Sequence, residues 1–476
     1  MKPRHVLFIT SDQQQAGALG CADPSYVTPH LDALANRGVR FTHAVTTAAQ
    51  CTPARASWET GRYPHEVGVN QIGHAIRPDL PLVAKVFADA GYDTAHFGKW
   101  HLFTPPTQCC YQVTAYRTDG IAPGSADTAH PERWSARDAE ATAQAIHYIR
   151  DSGERPFFMA LSYYSPHPGN IQFELIEAFR HLYPRKDMPV PHSFYADDLC
   201  TKPMFQRERA DSPECRLTEE QVRIDAQKYR TMVSNLDWNI GRVMAELDNK
   251  GILQETAIVF SSDHGDLQGA HRLRLKGVVP YRELYNVPLI VVDPADKKGG
   301  RVSDRLVSSA AVPGTLLRLA ALSVPEDFAG GVLPDVFQQD LQSGEPSPSG
   351  LPSSGLPPRE LQPGELPSSR LQPGELPLDE EHVFFEHYKA YWGFHPFHGI
   401  QTVAWKYVYY YQEDLEEMYD LLRDPDELVN VAADPAVGAI KERLRSQVSA
   451  WWEQTGALRA APVKAADVDG AWSDLV

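Results

Sequence analysis

Short, continuous apolar runs recur along the chain, and each is followed by a small group of polar residues. The clearest runs cover residues 6–10, 94–97, 157–161 and 257–260, with a further run at 289–292. Runs of this length are typical of strands that are buried on both faces of an α/β sheet. The pattern therefore predicts an α/β protein with a large buried sheet.

Helical periodicity separates these runs. The strongest pattern begins at Thr218, which forms a capping-box pattern with Gln221 ahead of an apolar stripe. The stripe has a spacing of three or four residues and comprises Val222, Ala226, Tyr229, Val233, Leu236, Ile240, Val243 and Leu247. We expect this helix to pack on the sheet, and a shorter helix to begin at Val312.

The composition changes abruptly between residues 342 and 378, where proline, serine, glycine, leucine and glutamate dominate and a seven-residue sequence is repeated. Such a segment cannot bury enough apolar surface to fold, so we interpret it as a low-complexity insert. It separates a predicted catalytic domain, residues 1–341, from a smaller α+β subdomain, residues 379–476. In that subdomain, residues 383–385 and 402–410 are rich in strand formers, and Asp434 with Pro435 predicts the start of a helix.

Charge and length restrict the possible partners. The 476 residues include 62 acidic and 45 basic side chains, a net charge of −17 that disfavours nucleic acid and anionic membranes as partners. No run of about 18 apolar residues predicts a membrane span, and the first residues lack a secretory apolar region, so we expect a cytoplasmic protein. Six cysteines in so long a chain do not predict a disulfide framework. The oligomeric state cannot be inferred from the sequence.

Two of the apolar runs end in paired polar residues. Asp12 and Gln13 follow the first run, and Asp263 and His264 follow the run at 257–260. In open α/β sheets, ligands bind beyond the carboxyl ends of the strands. Two carboxylates, an amide and an imidazole at that edge suit a hard divalent cation such as calcium, magnesium or manganese.

Cys51 begins a third pattern, C-x-P-x-R, which ends at Arg55 and is followed by T-G-R-Y-P at residues 60–64. A single cysteine is usually a small apolar core residue, but that role explains neither Pro53 nor Arg55. The pattern resembles the signature of the formylglycine-dependent sulfatases of the alkaline phosphatase superfamily. The resemblance extends from Val6 to about Asn430, except for the insert. It implies a large mixed β-sheet sandwiched by helices, as in alkaline phosphatase, with a smaller C-terminal α+β subdomain.

The resemblance also implies a cofactor and a modified residue. A formylglycine-generating enzyme would oxidise Cys51 to Cα-formylglycine, whose hydrate carries two hydroxyls on one carbon. The metal ligands would be Asp12, Gln13, Asp263 and His264, together with residue 51. Many members have aspartate and asparagine in place of Gln13 and His264, and this departure removes one negative charge and adds a nitrogen donor, which favours manganese more than the usual ligand set does. Calcium stays the first expectation on the basis of the family resemblance, with manganese or magnesium as alternatives.

Further residues match the family at shorter motifs. Lys99 and His101 lie in G-K-W-H-L at residues 98–102, and an extended segment would turn both side chains to one face. His167 and Lys276 match shorter family elements. The resemblance implies that Lys99 and Lys276 neutralise the sulfuryl oxygens and that His101 removes a proton from the gem-diol. It also implies that His167, alone or together with Lys276, protonates the departing alcohol, and that Arg55 orients residue 51.

The predicted function is the hydrolysis of an aryl, carbohydrate or small aliphatic sulfate monoester, and three alternatives remain. A phosphonate monoester or phosphodiester hydrolase of the same superfamily is the nearest, although such enzymes tend to carry hydroxyl side chains where this chain has Lys99 and His101. A noncatalytic binding protein would follow if Cys51 were never oxidised. A conventional cysteine hydrolase lacks a supporting Asn or Asp pattern. Asn70, His74, His395 and His398 are candidates for contacts with the alcohol.

Overall fold

An eight-stranded sheet forms the centre of the protein. The computed structural model describes residues 5–76, 79–117, 133–168, 177–213, 216–334, 336, 381–390 and 392–455. The strands of this sheet are β1 (His5–Ser11), β2 (Val39–Val45), β3 (Asp93–Lys99), β4 (Val113–Arg117), β5 (Phe157–Ser162), β6 (Thr256–Ser262), β7 (Asn286–Val292) and β8 (Arg301–Ser308). Each of the five predicted apolar runs lies within one of these strands.

The strand order is β4-β3-β5-β1-β6-β7-β2-β8. All neighbouring strands are parallel except for β7, which runs antiparallel to β6 and to β2. The sheet is therefore mixed, as predicted. Because β3, β5, β1 and β6 are adjacent and parallel, the polar groups that follow them meet at one edge.

Helices cover both faces of the sheet. They are α1 (Pro29–Arg37), α2 (Cys51–Thr60), α3 (Pro64–Val67), α4 (Val83–Asp89), α5 (Arg133–Asp151), α6 (Glu177–Arg180), α7 (His192–Ala196), α8 (Met204–Asp211), α9 (Glu219–Asn249), α10 (Arg282–Tyr285), α11 (Val312–Leu319) and α12 (Gly438–Gln454). Alternate residues of β1 point to opposite faces. Val6 and Phe8 join a core with residues of α2, α4 and α11, and Leu7 and Ile9 join one with residues of α1, α5 and α9.

The predicted helix after Thr218 is α9, and its whole apolar stripe is buried. The Thr218 hydroxyl accepts a hydrogen bond from the Gln221 backbone N–H at 3.2 Å, which caps the helix. The other half of the predicted capping box is absent from this part of the structure. The Gln221 side chain instead donates to Asp225, four residues further along the helix.

A second sheet lies in the C-terminal part of the chain. Its antiparallel strands are β9 (His382–His387), β10 (Phe397–Thr402), β11 (Trp405–Tyr410) and β12 (Leu415–Asp420), and α12 packs on β10 and β11. The run at 402–410, predicted as one strand segment, is divided, because the Thr402 hydroxyl accepts the Trp405 N–H and closes a turn. Asp434 caps a short 3₁₀ turn, Pro435–Val437, that precedes α12.

The fold class is confirmed by these two sheets and their helices. The predicted insert, 342–378, lies outside the described residues, so the domain boundaries on either side of it stay predictions. The cysteines at 21, 51, 109, 110 and 200 are free thiols. None of the helices in the described ranges combines the length and the apolar character needed to cross a lipid bilayer.

Candidate active site

Two buried carboxylates meet at the edge of the large sheet. Asp12 follows β1, Asp263 follows β6, and neither is exposed. The Nη2 atom of Arg55 lies 3.1 Å from an oxygen of Asp12 and 3.0 Å from an oxygen of Asp263. The adjacent parallel strands thus bring the two acids together, and a single guanidinium holds them in place.

Different neighbours shift the pKa values of these acids in opposite directions. Burial raises the pKa of Asp12, but the surrounding cations, of which Lys99 has the largest effect, hold that pKa well below its usual range. Burial and the charge of Asp12 raise the pKa of Asp263. The charge of Asp12 is thus the better compensated of the two.

The signature residues lie on α2, which begins at Cys51. Residues four apart share one face of a helix, so Cys51 and Arg55 both face the strand ends. Pro53 lies in the first turn, where the missing N–H costs no helical hydrogen bond. All ten residues of α2 are buried. The C-x-P-x-R spacing therefore has a direct structural reason.

Cys51 lies at the centre of the cluster. Its Sγ atom, which takes the place of an oxygen that an oxidised residue would carry on Cβ, is 3.2 Å from Nε2 of His264 and 3.1 Å from Nζ of Lys276. Burial and Asp12 raise the pKa of the Cys51 thiol, but nearby cations outweigh both and bring it to about 6. Those cations are Lys276, Lys99 and His264. Position 51 is therefore in a strongly electropositive environment.

The two predicted lysines both reach this cluster. Nζ of Lys99 lies 2.5 Å from Oδ2 of Asp12, and Nζ of Lys276 lies 3.0 Å from Oε1 of Gln13. Each lysine is only 2% exposed, which is unusual for this residue type. With Arg55 they provide the locally positive pocket that an acidic protein needs in order to bind an anionic substrate.

His101 is held beside the same helix, but not as the sequence suggested. Strand β3 ends at Lys99, and His101 has φ = 53°, so the segment is not extended at this residue. The Thr52 hydroxyl donates a 2.7 Å hydrogen bond to the carbonyl oxygen of His101. His101 is therefore joined to α2 through its backbone, next to residue 51, and the extended conformation on which the shared face of Lys99 and His101 depended is absent at this residue.

His167 lies in the loop after β5 and is half-buried. Burial, then the charges of Lys276 and Lys99, lower its pKa well below the usual range, while Asp12 opposes them. His167 also lowers the pKa of Asp12. The third predicted strand end thus contributes an imidazole within electrostatic reach of the cluster.

The donor atoms at this edge fit a divalent cation. One ligand atom from each of Asp12, Cys51, Asp263 and His264 lies within 4.8 Å of all the others. Nδ1 of His264 is 2.9 Å from the carbonyl oxygen of Gly265, which can only accept, so Nδ1 carries a proton. Nε2, which faces Cys51, is the ring atom that would bind a metal ion after losing its own proton. Two carboxylates, an imidazole and residue 51 form a set that suits calcium, manganese or magnesium.

Three non-glycine residues at the site have left-handed backbone conformations. They are Gln13 (φ = 68°), His101 (φ = 53°) and Leu275 (φ = 62°), the last of which precedes Lys276. Such conformations cost about 1–3 kcal/mol each and occur mainly where the surrounding structure enforces them. Their concentration around Cys51 is consistent with a functional site.

The structure adds residues that the sequence reasoning missed. Ser162, the last residue of β5, accepts a 2.6 Å hydrogen bond from Nη1 of Arg55. Its position at a strand end was a usable signal. Asp138 on α5 accepts the backbone N–H groups of Tyr164 and Ser165, which fixes the loop that leads to His167. No local sequence pattern indicates this role.

His387 comes from the second sheet, at the end of β9. It is 3% exposed, and burial together with the charge of His264 lowers its pKa to about 3. Beside it, the Glu386 N–H bonds to the carbonyl of Thr47, shortly before α2. The C-terminal sheet therefore brings a neutral imidazole within electrostatic range of His264.

Other predicted candidates are not joined to the cluster by any described contact. Asn70 follows α3, and its backbone N–H contacts His74. His395 stacks on Phe205 and pairs with Glu413, while His398 lies against aromatic side chains of the C-terminal subdomain. These contacts favour structural roles for His395 and His398, and the suggested substrate contact of Asn70 stays a prediction.

Comparisons with known proteins decide the family. The model of the family described as Sulfatase matches residues 4–322, more than half of the chain. The chain belongs to the sulfatase family. This match confirms the predicted family and, with it, the predicted enzyme class, sulfuric ester hydrolase. A second model, described as the C-terminal region of N-sulphoglucosamine sulphohydrolase, matches residues 370–454.

Among individual sulfatases, the chain is 28% identical over 352 residues to the ulvan-active sulfatase of Formosa agariphila. That match covers 70% of this chain and 65% of the relative, slightly less than two thirds of its length. A structure solved with its substrate D-glucosamine-2-N,6-O-disulfate has a TM-score of 0.76 at 22% identity, with coverage of 95% of this chain and 98% of that one. A phosphonate monoester hydrolase of Agrobacterium radiobacter has a TM-score of 0.71 at 21% identity, with coverage of 95% and 96%.

Proposed function

We propose that this sulfatase hydrolyses a sulfate monoester of a carbohydrate or aryl alcohol, through a formylglycine formed from Cys51. The observation that carries the proposal is the position of Cys51 Sγ, 3.1 Å from Nζ of Lys276 and 3.2 Å from Nε2 of His264. A role in core packing alone does not explain why a buried lysine and an imidazole contact the sulfur of this cysteine. A nucleophile that must approach an anionic ester needs that positive environment.

Position 51 supplies the reacting oxygen atoms in this proposal. Oxidation of Cys51 by a formylglycine-generating enzyme gives an aldehyde whose hydrate has two hydroxyls, one to attack sulfur and one to release sulfate afterwards. Arg55, four residues along α2, holds both strand-end carboxylates and so fixes the acids that face residue 51. The helix and the sheet edge thereby keep the reacting group in one orientation.

A divalent cation fits beside residue 51. Asp12, Gln13, Asp263 and His264 would hold it, and calcium is the first choice, with manganese or magnesium as alternatives. When bound, it supplies Lewis-acid polarisation of a sulfate oxygen and of the attacking hydroxyl. The neutral Gln13 and the imidazole of His264 limit the negative charge of this ligand set.

The lysines stabilise charge on the group that is transferred. Lys99 and Lys276 lie on the cluster at Asp12 and Gln13 respectively, and both are buried, where an ion pair is stronger than in water. Donors fixed in advance toward the sulfuryl oxygens stabilise the transition state without reorganising. This is the role we assign to both ammonium groups.

Two histidines transfer protons in the proposed reaction. The pKa of His167 is lowered by burial and by the lysines, and the negative charge of a bound sulfate ester offsets those lysines. His167 therefore gains a proton as the ester binds, and it then protonates the departing alcohol. His101, which Thr52 holds next to residue 51, takes the proton of the second hydroxyl, so that the C–O bond to sulfate breaks and the aldehyde is restored.

The test is a measurement of sulfate release from a panel of esters, with the Cys51→Ala variant as the control. The panel contains an aryl sulfate, sulfated monosaccharides and choline sulfate. A carbohydrate ester is supported by the ulvan-active relative and by the fold shared with the protein solved with a glucosamine disulfate. We expect the Cys51→Ala variant to be inactive. A variant as active as the wild type would overturn the proposal.

A phosphonate monoester hydrolase is the second candidate, because some enzymes of that class share the Asp-Gln and Asp-His metal pairs that Asp12, Gln13, Asp263 and His264 form here. The notable difference is that Lys99 and His101 stand where such enzymes tend to have hydroxyl side chains. Rates on an aryl sulfate and on the matching aryl phosphonate monoester, measured side by side, decide between the two. We expect the sulfate to be the better substrate, and a preference for the phosphonate would reverse the assignment.

A further inference from the structure

The side-chain amide of Gln13 lies between two groups of opposite charge. Its Oε1 atom is 3.0 Å from Nζ of Lys276, and its Nε2 atom is 2.5 Å from Oδ2 of Asp266. Gln13 is 1% exposed and Asp266 is fully buried. The amide is therefore shielded from bulk solvent, which could otherwise replace these partners.

These two partners allow only one orientation of the amide. An ammonium group can only donate hydrogen bonds, and a carboxylate can only accept them. Rotating the amide by half a turn would place its NH₂ group against Lys276 and its oxygen against Asp266, which loses both hydrogen bonds and creates two repulsive contacts. The observed orientation turns the oxygen, which is the amide atom that can bind a hard cation, toward the Cys51 cluster.

Asp266 is itself fixed by its neighbours. Its Oδ1 atom accepts the backbone N–H of Gln268 at 2.9 Å, and its carbonyl oxygen accepts the Gln15 side-chain amide at 2.5 Å. One carboxylate oxygen is therefore occupied by the backbone, and the other is aimed at Gln13. The carboxylate cannot turn away from the amide without breaking these bonds.

We propose that Asp266 is a positioning residue, which keeps the oxygen of Gln13 turned toward the cation site. The inference rests on the proposed function, because it concerns the cation that Gln13 would help to hold. An aspartate at position 13 would need no such partner, since both of its side-chain oxygens can bind metal. A glutamine does need one, because only one of its two terminal atoms can.

The first test is the Asp266→Asn variant. The new amide keeps its oxygen on the Gln268 N–H and presents its NH₂ group to Nε2 of Gln13, so two donors meet and the Gln13 amide turns over. We expect the affinity for Ca²⁺ and for Mn²⁺, measured by calorimetry on metal-stripped protein, to fall about 10- to 100-fold. Thermal unfolding without metal shows whether the variant is folded.

A paired variant separates positioning from a purely structural role. In Gln13→Glu with Asp266→Asn, the glutamate offers an oxygen both to the new NH₂ group and to Lys276, so cation affinity returns to that of the wild type or exceeds it. Gln13→Glu alone places two carboxylates side by side and binds the cation more weakly than the double variant does. The wild type and the double variant carry the same number of carboxylates, so each serves as the control for the other.

The result that supports the inference is this reciprocal pattern, in which the double variant binds the cation more tightly than either single variant. An Asp266→Asn variant with wild-type affinity overturns the inference, and so does a folded double variant that binds no better than Asp266→Asn. If Asp266→Asn does not fold, the double variant is compared with Gln13→Glu instead. A double variant that binds the cation no better than Gln13→Glu then overturns the inference. Sulfate release by the wild type is measured separately, so intact sulfatase activity without the affinity pattern refutes only the role of Asp266.

Discussion

The Nζ atom of Lys276 lies 3.1 Å from the Sγ atom of Cys51, although 225 positions separate the two residues along the chain. The same Nζ atom is 3.3 Å from Nε2 of His264 and 3.0 Å from Oε1 of Gln13. The lysine therefore borders the proposed metal ligands and lies beside the proposed nucleophile. Its ammonium group is placed to act on whatever is attached at residue 51.

Removal of this ammonium group tests its catalytic role. We expect Lys276→Ala to lower kcat for sulfate release by about 100- to 1,000-fold, the loss typical of a fixed donor to a developing negative charge. Steady-state kinetics on the best ester of the panel measures the effect. Lys298→Ala, which alters an exposed lysine, is the matched control and should behave as the wild type. Equal activity of both variants would show that Lys276 does not contact the transferred group.

The ion pairs of Arg55 lead to a prediction about the stability of the fold. Its guanidinium is the group that bridges Asp12 and Asp263 at 3.1 and 3.0 Å. Arg55→Ala leaves the charge of two buried carboxylates less compensated, so the free energy of unfolding should fall by about 3–5 kcal/mol in metal-free protein. Urea denaturation in the presence of a chelator measures this change.

The control for this experiment is Arg207→Ala, which removes an exposed arginine that pairs loosely with Asp211. Such a surface change should alter stability by no more than about 0.5 kcal/mol. If Arg55→Ala is as stable as this control, the guanidinium does not hold the two acids together. Added calcium should recover part of the lost stability, because a cation between the acids replaces some of the missing positive charge.

The buried carboxyl group of Glu59 leads us to expect a pH dependence of the protein's stability that is independent of catalysis. It lies on α2, and its carboxyl group accepts a 3.0 Å hydrogen bond from the hydroxyl of Tyr111. Burial raises the pKa of Glu59 from 4.5 to about 8. Between these two values the folded protein keeps a proton that the unfolded chain has lost. Stability therefore decreases as the pH rises through this window, by up to about 1.4 kcal/mol per pH unit.

Glu59→Gln removes this proton equilibrium and retains the shape of the side chain. We expect its free energy of unfolding to increase relative to that of the wild type as the pH is raised from about 5 toward 8. Urea denaturation at several pH values measures the difference, and Glu208→Gln on the exposed face of α8 is the control. Parallel pH profiles for Glu59→Gln and the wild type would mean that Glu59 is ionised in the folded protein.

Much of the site follows from local sequence patterns. The apolar runs predict buried parallel strands, so the residues that follow them, such as Asp12 and Asp263, had to meet at one edge. The spacing of Cys51 and Arg55 predicts a common helix face. These parts were predictable because a strand or a helix fixes where its own neighbouring residues point.

Contacts between distant segments were not predictable in this way. Asp266 contacts Gln13 across 253 positions of the chain, and His387 comes near His264 from the second sheet, and no local pattern indicates either partner. His101 has a left-handed conformation, and its carbonyl oxygen accepts a hydrogen bond from Thr52 of another element. The division of residues 402–410 depends on one hydroxyl group, that of Thr402, closing a turn that strand propensity does not reveal.

The conversion of Cys51 is tested most directly by mass spectrometry of the peptide that contains it, taken from protein with measured sulfatase activity. The account predicts that the CH₂SH group is replaced by an aldehyde, and that specific activity rises in proportion to the modified fraction. A fully active sample in which every copy of this peptide retains an unaltered thiol would contradict it.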